Sequence, residues 1–418
     1  MLKNYLKIAL KVLLRRKFFT FISLFGISVT LVVLMVASAM LDHILAPQAP
    51  EVRGDRTLGI YQIALRSENR GYSGGAGYGL LHRIVSKLPA EVPAVEKVSI
   101  FSTPTTANSY VDGRIIRSYL KNTDGEFWQI LGFEFLEGGP FTPDDDKNAR
   151  FVAVINETTR ERFFGGGSAV GKTIEIDEQR FRVVGVVPDV PILRIVSFAD
   201  VWVPNSTFKS QSYRTDIQGR FMAAILARDR ADFPAIKAEV ESRFRDAELY
   251  LPPQSGWKTL RGGADTLFEA VSRLTFGDME ESLAGRLLVT LIVLAVLFMI
   301  LPTVNLVNIN LSRILDRASE IGVRKAFGAS SRTLVGQFVV ENLILTLVGG
   351  AIGFVLAAAV LSALNASGII PYANFQLNAR VFLYGLALAL FFGLFSGVYP
   401  AWKMSRLHPV QALRGRSV

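Results

Sequence analysis

Four long apolar segments divide the chain into hydrophobic and polar parts. A helix needs about 20 apolar residues to cross the hydrocarbon core of a bilayer, which is roughly 30 Å thick. Two charge-free runs of suitable length occur before and after the long polar middle of the chain, and a third stretch is split where Asn, Gly and Pro gather at residues 365–371. The pattern predicts four membrane-spanning helices, at residues 18–41, 287–311, 342–364 and 381–402.

The charges beside these segments predict the orientation. Residues 1–17 carry six Lys or Arg and no acid, residues 403–418 carry four and no acid, and residues 312–341 carry five against three acids. The net charge of +10 therefore lies beside the apolar segments, which is the positive-inside pattern of a membrane protein and not that of a nucleic-acid-binding protein. Both termini and the loop at 312–341 are predicted to be cytoplasmic.

The first 41 residues allow two further predictions. Leu and Ala recur on one face of residues 2–16 with Lys on the other, which predicts an amphipathic helix within 1–17 on the cytoplasmic surface, in contact with membrane lipid. A disordered basic leader is the alternative. Ala37-Ser38-Ala39 resembles a signal-peptidase site, but the apolar run before it is longer than a signal peptide needs. We therefore expect an uncleaved anchor.

Residues 42–286 form the extracytoplasmic part, with 30 basic and 33 acidic side chains. Their hydrophobic periodicity mixes strand and helix patterns, so a mixed α+β domain is expected. Asn156 is a candidate N-cap for a helix that ends at Phe164. Strands are predicted at 58–65, 151–155 and 223–226, a hairpin at 173–176 and 180–187, and helices at 80–88, 232–244 and, continuing into the second span, 265–286.

Motifs for catalysis or metal binding are weak in this sequence. Gly166–Thr173 matches the P-loop pattern, but the predicted helix precedes it and strands follow it, which is the reverse of a working P-loop. Asp144-Asp145-Asp146 resembles a calcium loop but lacks its glycine and its final glutamate, so a solvated acidic turn is expected. Cysteine is absent, and His43, His82 and His408 are scattered. No enzymatic activity, metal or cofactor is predicted for this chain.

The loop after the second span has the pattern of a short charged helix. Its apolar positions 311, 314, 315, 318 and 321 share one face, Glu320 and Arg324 are spaced for an ion pair, and Gly328 is a candidate C-cap. An ordinary amphipathic connector would show the same pattern.

Three stretches of the chain resemble the FtsX-like permeases of MacB-type (type VII) ABC transporters. The first is Asn308-Ile309 followed by Glu320-Ile-Gly-Val-Arg-Lys-Ala-Phe-Gly-Ala329, where Ser319 departs from the basic residue that is usual before the glutamate. The second is Tyr399-Pro400-Ala401 with residues 407–413. The third, residues 152–187, is similar to the periplasmic core domain of the family.

The resemblance implies four transmembrane helices and a periplasmic domain of two subdomains, one from 44–105 plus 221–284 and one inserted at 106–220. It implies a coupling helix that docks on a nucleotide-binding subunit. The ATPase, with its ATP-Mg, is then expected in a separate polypeptide, because this chain lacks a nucleotide-binding domain. The predicted coupling residues are Arg317, Glu320, Ile321, Gly322, Val323, Arg324, Lys325, Ala326 and Gly328.

The resemblance also implies a place in the cell and a mechanism. The protein is expected in the bacterial inner membrane, as a dimer with itself or with a similar permease. ATP hydrolysis would move the periplasmic domains (mechanotransmission) and drive extrusion of a substrate, with a periplasmic adaptor as a further partner. Two alternatives remain open: extraction of lipoproteins, and signalling to a periplasmic cell-wall hydrolase by a division-linked permease.

Overall fold

A computed structural model gives the architecture of residues 14, 15, 17–111, 113–277, 282–315, 323 and 330–405. It divides into two compact units. The helical unit contains most of the long apolar helices, and the domain unit comprises Ile44–Leu288 together with Ile370–Ala373. The predicted amphipathic helix at 2–16 lies outside the described residues apart from 14 and 15, as does the tail after 405.

The α-helices within the described ranges are numbered in chain order. Four of them are long and apolar, and seven shorter ones lie in the domain unit. They are α1 Lys17–Leu45, α2 Tyr78–Val85, α3 Leu88–Glu91, α4 Glu126–Ile130, α5 Pro143–Lys147, α6 Glu157–Phe164, α7 Phe233–Glu248, α8 Leu267–Phe276, α9 Ala284–Leu315, α10 Ser331–Ser367 and α11 Ala379–Ser405.

The strands that the structure describes form two sheets in the domain unit. They are β1 Thr57–Ile60, β2 Ile63–Arg66, β3 Gly71–Gly74, β4 Val95–Ser102, β5 Thr105–Val111, β6 Arg114–Thr123, β7 Glu137–Gly138, β8 Val152–Asn156, β9 Thr173–Ile176, β10 Gln179–Val187, β11 Val201–Pro204, β12 Phe221–Ala227 and β13 Thr259–Gly262. The larger sheet has the order β1-β12-β4-β6-β11-β8-β10-β7, with β5 on β6 and β9 on β10. The smaller sheet has the order β13-β2-β3.

The larger sheet runs through both predicted subdomains. β4 meets β6 through the pair Phe101–Thr123, where the segment 44–105 joins the segment 106–220. One buried apolar cluster packs α2 and α7 against β1, β4 and β12, and another surrounds β8, β9 and β10. A third cluster, which contains Trp128, Trp202 and Met222, draws residues from both predicted subdomains. The mixed α+β character of this domain is therefore clear from its sheets and helices.

Within the described residues, two helices are long and apolar enough to cross a membrane by length and composition, Lys17–Leu45 and Val339–Ser367. Shorter apolar stretches occur at Ala284–Ile300 and Ala379–Leu394. α10 begins at Ser331, well before the start at residue 342 expected from the sequence. Its 37 residues span about 55 Å at the rise of an α-helix, more than a bilayer core requires.

Two predicted elements are wrong, and both fail for a local physical reason. The single strand expected at 58–65 is in fact two strands, β1 and β2, which belong to different sheets. The buried residues Ile60 and Ile63 are three positions apart, and this spacing breaks the period of two that a single strand requires. The helix expected to continue through 265–286 ends at Phe276, where Gly277 adopts φ +68° and its N–H caps the carbonyl of Arg273 at 2.8 Å.

Other local predictions are confirmed. The Asn156 side chain accepts a hydrogen bond from the Thr159 N–H at 2.8 Å and caps α6, which ends at Phe164. The hairpin expected at 173–187 is β9 paired antiparallel with β10. The acidic turn is α5, a one-turn helix whose N-cap, Thr142, forms a capping box with Asp145.

Candidate functional site: a buried polar junction in the domain unit

The predicted coupling residues fall almost entirely outside the described part of the chain. Val323 is helical, and 45% of its surface is exposed. The chain becomes continuous again at Ser330, whose hydroxyl accepts the Thr333 N–H at 3.2 Å and caps α10. The remaining predicted residues, Arg317, Glu320, Ile321, Gly322, Arg324, Lys325, Ala326 and Gly328, lie outside the described residues.

Small residues let α10 approach α1 closely within the helical unit. A Cβ at Gly349 would lie 2.9 Å from Cγ2 of Ile27, and one at Gly353 would lie 3.1 Å from Cβ of Leu31. The Ser28 hydroxyl donates to the Gly349 carbonyl at 2.9 Å, so the contact includes an interhelical hydrogen bond. The GxxxG spacing of Gly349 and Gly353 therefore marks a helix-packing surface.

α10 also packs against α11, the next helix along the chain. A Cβ at Gly350 would meet Leu386, and one at Gly393 would lie 2.7 Å from the hydroxyl of Thr346. Phe354 stacks edge-to-face on Phe382 at 4.7 Å between ring centroids. These contacts, together with the α1 contact, tie three apolar helices to one another.

Two hydrogen-bond donors of the P-loop-like segment already bind a carboxylate of the protein itself, that of Glu137. Glu137 Oε2 accepts hydrogen bonds from the Ser168 hydroxyl at 3.0 Å and the Ala169 N–H at 3.1 Å, and Arg160 donates to Glu137 Oε1 at 2.9 Å. These donors, with Arg160 contributing most, hold the pKa of Glu137 below its usual range. The segment follows α6 and precedes β9, so the reversed context expected from the sequence is confirmed. This arrangement does not fit a nucleotide site.

A largely buried loop of the domain unit contains three buried polar side chains, those of Arg194, Ser197 and Asp200. We call residues 188–200, between β10 and β11, the junction loop. Residues from two other parts of the chain hold it: the segment that directly follows α1, and the segment Ile370–Ala373 between α10 and α11. The contacts come in three groups.

The first group is a buried ion pair with the segment after α1. Arg194, whose side chain is 1% exposed, donates from Nη1 to Glu51 Oε2 at 3.1 Å and from Nη2 to the Ala46 carbonyl at 3.2 Å. Glu51 Oε1 accepts from the Ser197 hydroxyl at 2.6 Å and from the Ser197 N–H at 3.2 Å. Both terminal nitrogens of Arg194 and both carboxylate oxygens of Glu51 therefore have a partner, as a buried charge pair requires.

The second group is a buried lysine. Lys121 on β6 is fully buried and donates from Nζ to the carbonyls of Ile195 at 3.0 Å and Val196 at 2.5 Å. The rings of Phe101 and Phe127 lie 5.2 Å and 5.9 Å from Nζ. Burial lowers the pKa of Lys121 to about 7, although the charge of Glu51 acts in the opposite direction. The amine therefore titrates near neutral pH.

The third group centres on Asp200, which is 2% exposed. Its carboxylate accepts from the Tyr119 N–H at 2.7 Å, the Asn156 side-chain amide at 3.1 Å and the Tyr372 hydroxyl at 2.7 Å. Burial and the charge of Asp200 raise the pKa of Tyr372, so its hydroxyl remains a proton donor. The Ile192 N–H also donates to the carbonyl of Pro371 at 3.2 Å.

No pattern in the sequence indicates these residues as a group. Glu51, Lys121, Arg194, Asp200 and Tyr372 are spread over more than 300 positions and share no motif. The sequence feature that could point to them is a charged or aromatic residue in an otherwise apolar stretch. Tyr372, between the third and fourth predicted spans, is an example.

Comparison with known proteins agrees with the architecture. The profile of the MacB-like periplasmic core domain matches residues 20–243, more than half of the chain, and that of the FtsX-like permease C-terminal region matches residues 292–409. A relative from Chromobacterium violaceum, "Macrolide export ATP-binding/permease protein MacB", is 26% identical over 78% of this chain and 48% of its own length. A relative from Pseudomonas syringae pv. tomato, "Pyoverdine export ATP-binding/permease protein PvdT", is 29% identical over 71% of this chain and 42% of its own.

The chain spans about half the length of the curated relatives that it matches. Among solved structures, the periplasmic region of MacB from Actinobacillus actinomycetemcomitans matches with a TM-score of 0.37 and 16% identity, over 55% of this chain and 95% of that one. The two family profiles match both halves of the resemblance expected from the sequence, the periplasmic core and the C-terminal permease region. The chain belongs to the MacB-type family of FtsX-like permeases.

Proposed function

We propose that this protein is the permease subunit of an ABC transporter that works by mechanotransmission, with ATP hydrolysed by a separate subunit. The observation that carries the proposal is the length and placement of α10. This helix of 37 residues starts directly after the predicted coupling segment and packs on α1 and α11. A rigid helix that is longer than the bilayer core can carry a displacement from one side of the membrane to the other.

The proposed topology follows from charge and hydropathy. Four helices span the inner membrane, with both termini and the segment 312–341 in the cytoplasm and the domain unit in the periplasm. Family membership and the two long apolar helices support this arrangement. The second and fourth spans correspond to α9 and α11.

The proposed partners are an ABC ATPase, a second permease and a periplasmic adaptor. The relatives of this chain are named as ATP-binding/permease proteins, and this chain matches about half of their length. We propose that ATP-Mg binds in the ATPase partner and that substrate is extruded from the periplasm. Lipoprotein extraction and activation of a cell-wall hydrolase would use the same motion, and the co-purifying periplasmic partner distinguishes them.

Substitution of Glu320 tests the coupling segment. Glu320→Ala should abolish stimulation of the cognate ATPase by the reconstituted permease, because it removes a charged contact at the proposed docking helix. Glu241→Ala is the matched control, since Glu241 lies on α7 in an exposed pair with Arg245 and should leave stimulation unchanged. Stimulation that survives Glu320→Ala intact would show that Glu320 has no role in docking.

A further inference from the structure

The segment between α10 and α11 makes an unusual tight turn in the domain unit. The Ala373 N–H donates to the Ile370 carbonyl at 3.1 Å, with Pro371 in the second position and Tyr372 in the third. Tyr372 has φ +57°, the left-handed region in which glycine is favoured. A bulky residue held at this backbone angle indicates a side chain that is needed at that place.

The Tyr372 side chain is held by a buried acceptor. Its hydroxyl donates to Asp200 Oδ1 at 2.7 Å, and its ring lies 6.4 Å from that of Phe198, also in the junction loop. Asp200 is in turn fixed by donors from β6 and from the end of β8, so the hydroxyl binds a rigid, charged acceptor. A neutral donor such as a tyrosine hydroxyl forms a stronger hydrogen bond with a charged acceptor than with a neutral one.

The segment after α1 holds the same junction loop between the two positions, Ile192 and Asp200, that the Ile370–Ala373 turn binds. Arg194 binds Glu51 and the Ala46 carbonyl, and α1 ends at Leu45, one residue before Ala46. Residues 195–199 separate Arg194 from Asp200, and within them Lys121 binds the carbonyls of Ile195 and Val196 while Glu51 binds Ser197. One short loop thus receives polar contacts from chain segments directly attached to three of the long apolar helices.

We propose that Tyr372 and Asp200 form a latch through which movement of α10 and α11 reaches the junction loop and the β-sheet of the domain unit. The latch works against the fixed point made by Arg194 and Glu51, so that a shift of the Ile370–Ala373 turn relative to the segment after α1 strains the loop or releases it. Tyr372 is a positioning residue: it acts on β6 and β11 through Asp200. The direction of force rests on the proposed function, whereas the latch contact itself does not.

Hydrogen–deuterium exchange of the full-length protein in nanodiscs tests the latch. Tyr372→Phe removes the hydroxyl and keeps the ring, so the amide of Ile192, which donates to Pro371, should exchange about tenfold faster. Tyr72→Phe is the matched control, because the Tyr72 hydroxyl donates to the Gly75 carbonyl at 2.8 Å in the smaller sheet. Equal exchange of the 189–200 peptides in Tyr372→Phe and in the wild type would overturn the latch.

The transmitting role has its own measurement, made on the permease bound to its ATPase. Exchange of the 189–200 peptides should differ between the nucleotide-free and ATP-bound complexes in the wild type and in Tyr72→Phe, and this difference should disappear in Tyr372→Phe. A difference that persists unchanged in Tyr372→Phe, or that is absent from an assembled wild-type complex, would overturn transmission through Tyr372. A permease that binds no ATPase would refute the proposed function, while the comparison in the isolated permease still decides whether the latch exists.

Discussion

The Arg194–Glu51 pair should be the largest single polar contribution to the stability of the junction. Arg194→Met removes a 1% exposed guanidinium and leaves Glu51, 12% exposed, with the two Ser197 donors alone. Breaking a buried pair by removing one partner costs about 3–5 kcal/mol, because the other charge stays buried without compensation. The Ala46 carbonyl also loses its donor, which acts in the same direction.

Thermal unfolding of the purified full-length protein gives the readout. For a unit of this size, 1 kcal/mol shifts Tm by roughly 2–4 °C, so Arg194→Met should lower Tm by on the order of 10 °C. Arg245→Met is the matched control, since Arg245 and Glu241 are 61% and 67% exposed and such pairs contribute about 0–1 kcal/mol. The double variant Arg194→Met with Glu51→Gln should recover part of the loss, because it no longer buries an unpaired carboxylate.

Two results would refute this reasoning. One is a Tm of Arg194→Met within about 1 °C of that of the Arg245→Met control, which would mean that the pair contributes no more than a surface pair. The other is a double variant whose loss equals the sum of the two single losses, since additive effects indicate that Arg194 and Glu51 do not interact.

The remaining predictions concern the helix contact and the buried lysine. Gly349→Ala should lower the Tm of the protein in detergent, because the added Cβ would lie 2.9 Å from Ile27. Gly336→Ala on the same helix is the control, since its Cβ would meet nothing within 4 Å and should leave Tm unchanged. Equal Tm values for the two variants would contradict the packing of α10 on α1. Lys121 has a pKa of about 7 in the folded state, below its unfolded value, so the unfolded state binds more protons above pH 7. The free energy of unfolding should therefore rise with pH between about 7 and 10.5, by at most about 1.4 kcal/mol per pH unit. Lys121→Met should flatten the rise and Lys87→Met at an exposed site should not, and a Lys121→Met profile parallel to the wild type would contradict the assignment.

Hydrophobic patterning predicted well where one helix or one hairpin decides the outcome. The cap at Asn156 and the hairpin of β9 with β10 each depend on residues that are close neighbours in sequence. Local physics is then sufficient, because the residue type and the spacing together fix the geometry.

The errors and omissions arise where two distant segments meet. The change of sheet between Ile60 and Ile63 depends on which strands are available as partners, and β12 and β13 lie more than 150 residues further on. The contact of Tyr372 with Asp200 joins residues 172 positions apart, and no spacing in a single sequence encodes it. Burial of Lys121 is equally invisible, because an isolated lysine in a strand is normally exposed.

The coupling segment shows the reverse situation. Its residues, from Arg317 to Gly328, were predicted from a motif and its resemblance to a family, and they fall outside the described residues apart from Val323. The role of Glu320 therefore stays a prediction. The flanking helices α9 and α10 fix only where the segment begins and ends.

The central claim is that this permease works with a separate ABC ATPase, and affinity purification of the tagged protein from its native membrane tests it most directly. Mass spectrometry of the detergent-solubilised complex should identify an ABC ATPase subunit at a stoichiometric level, together with a periplasmic adaptor. Recovery of the ATPase with a cell-wall hydrolase would favour the signalling alternative and keep the mechanical account. Recovery of the permease with no ATPase, from membranes in which that ATPase is expressed, would contradict the account.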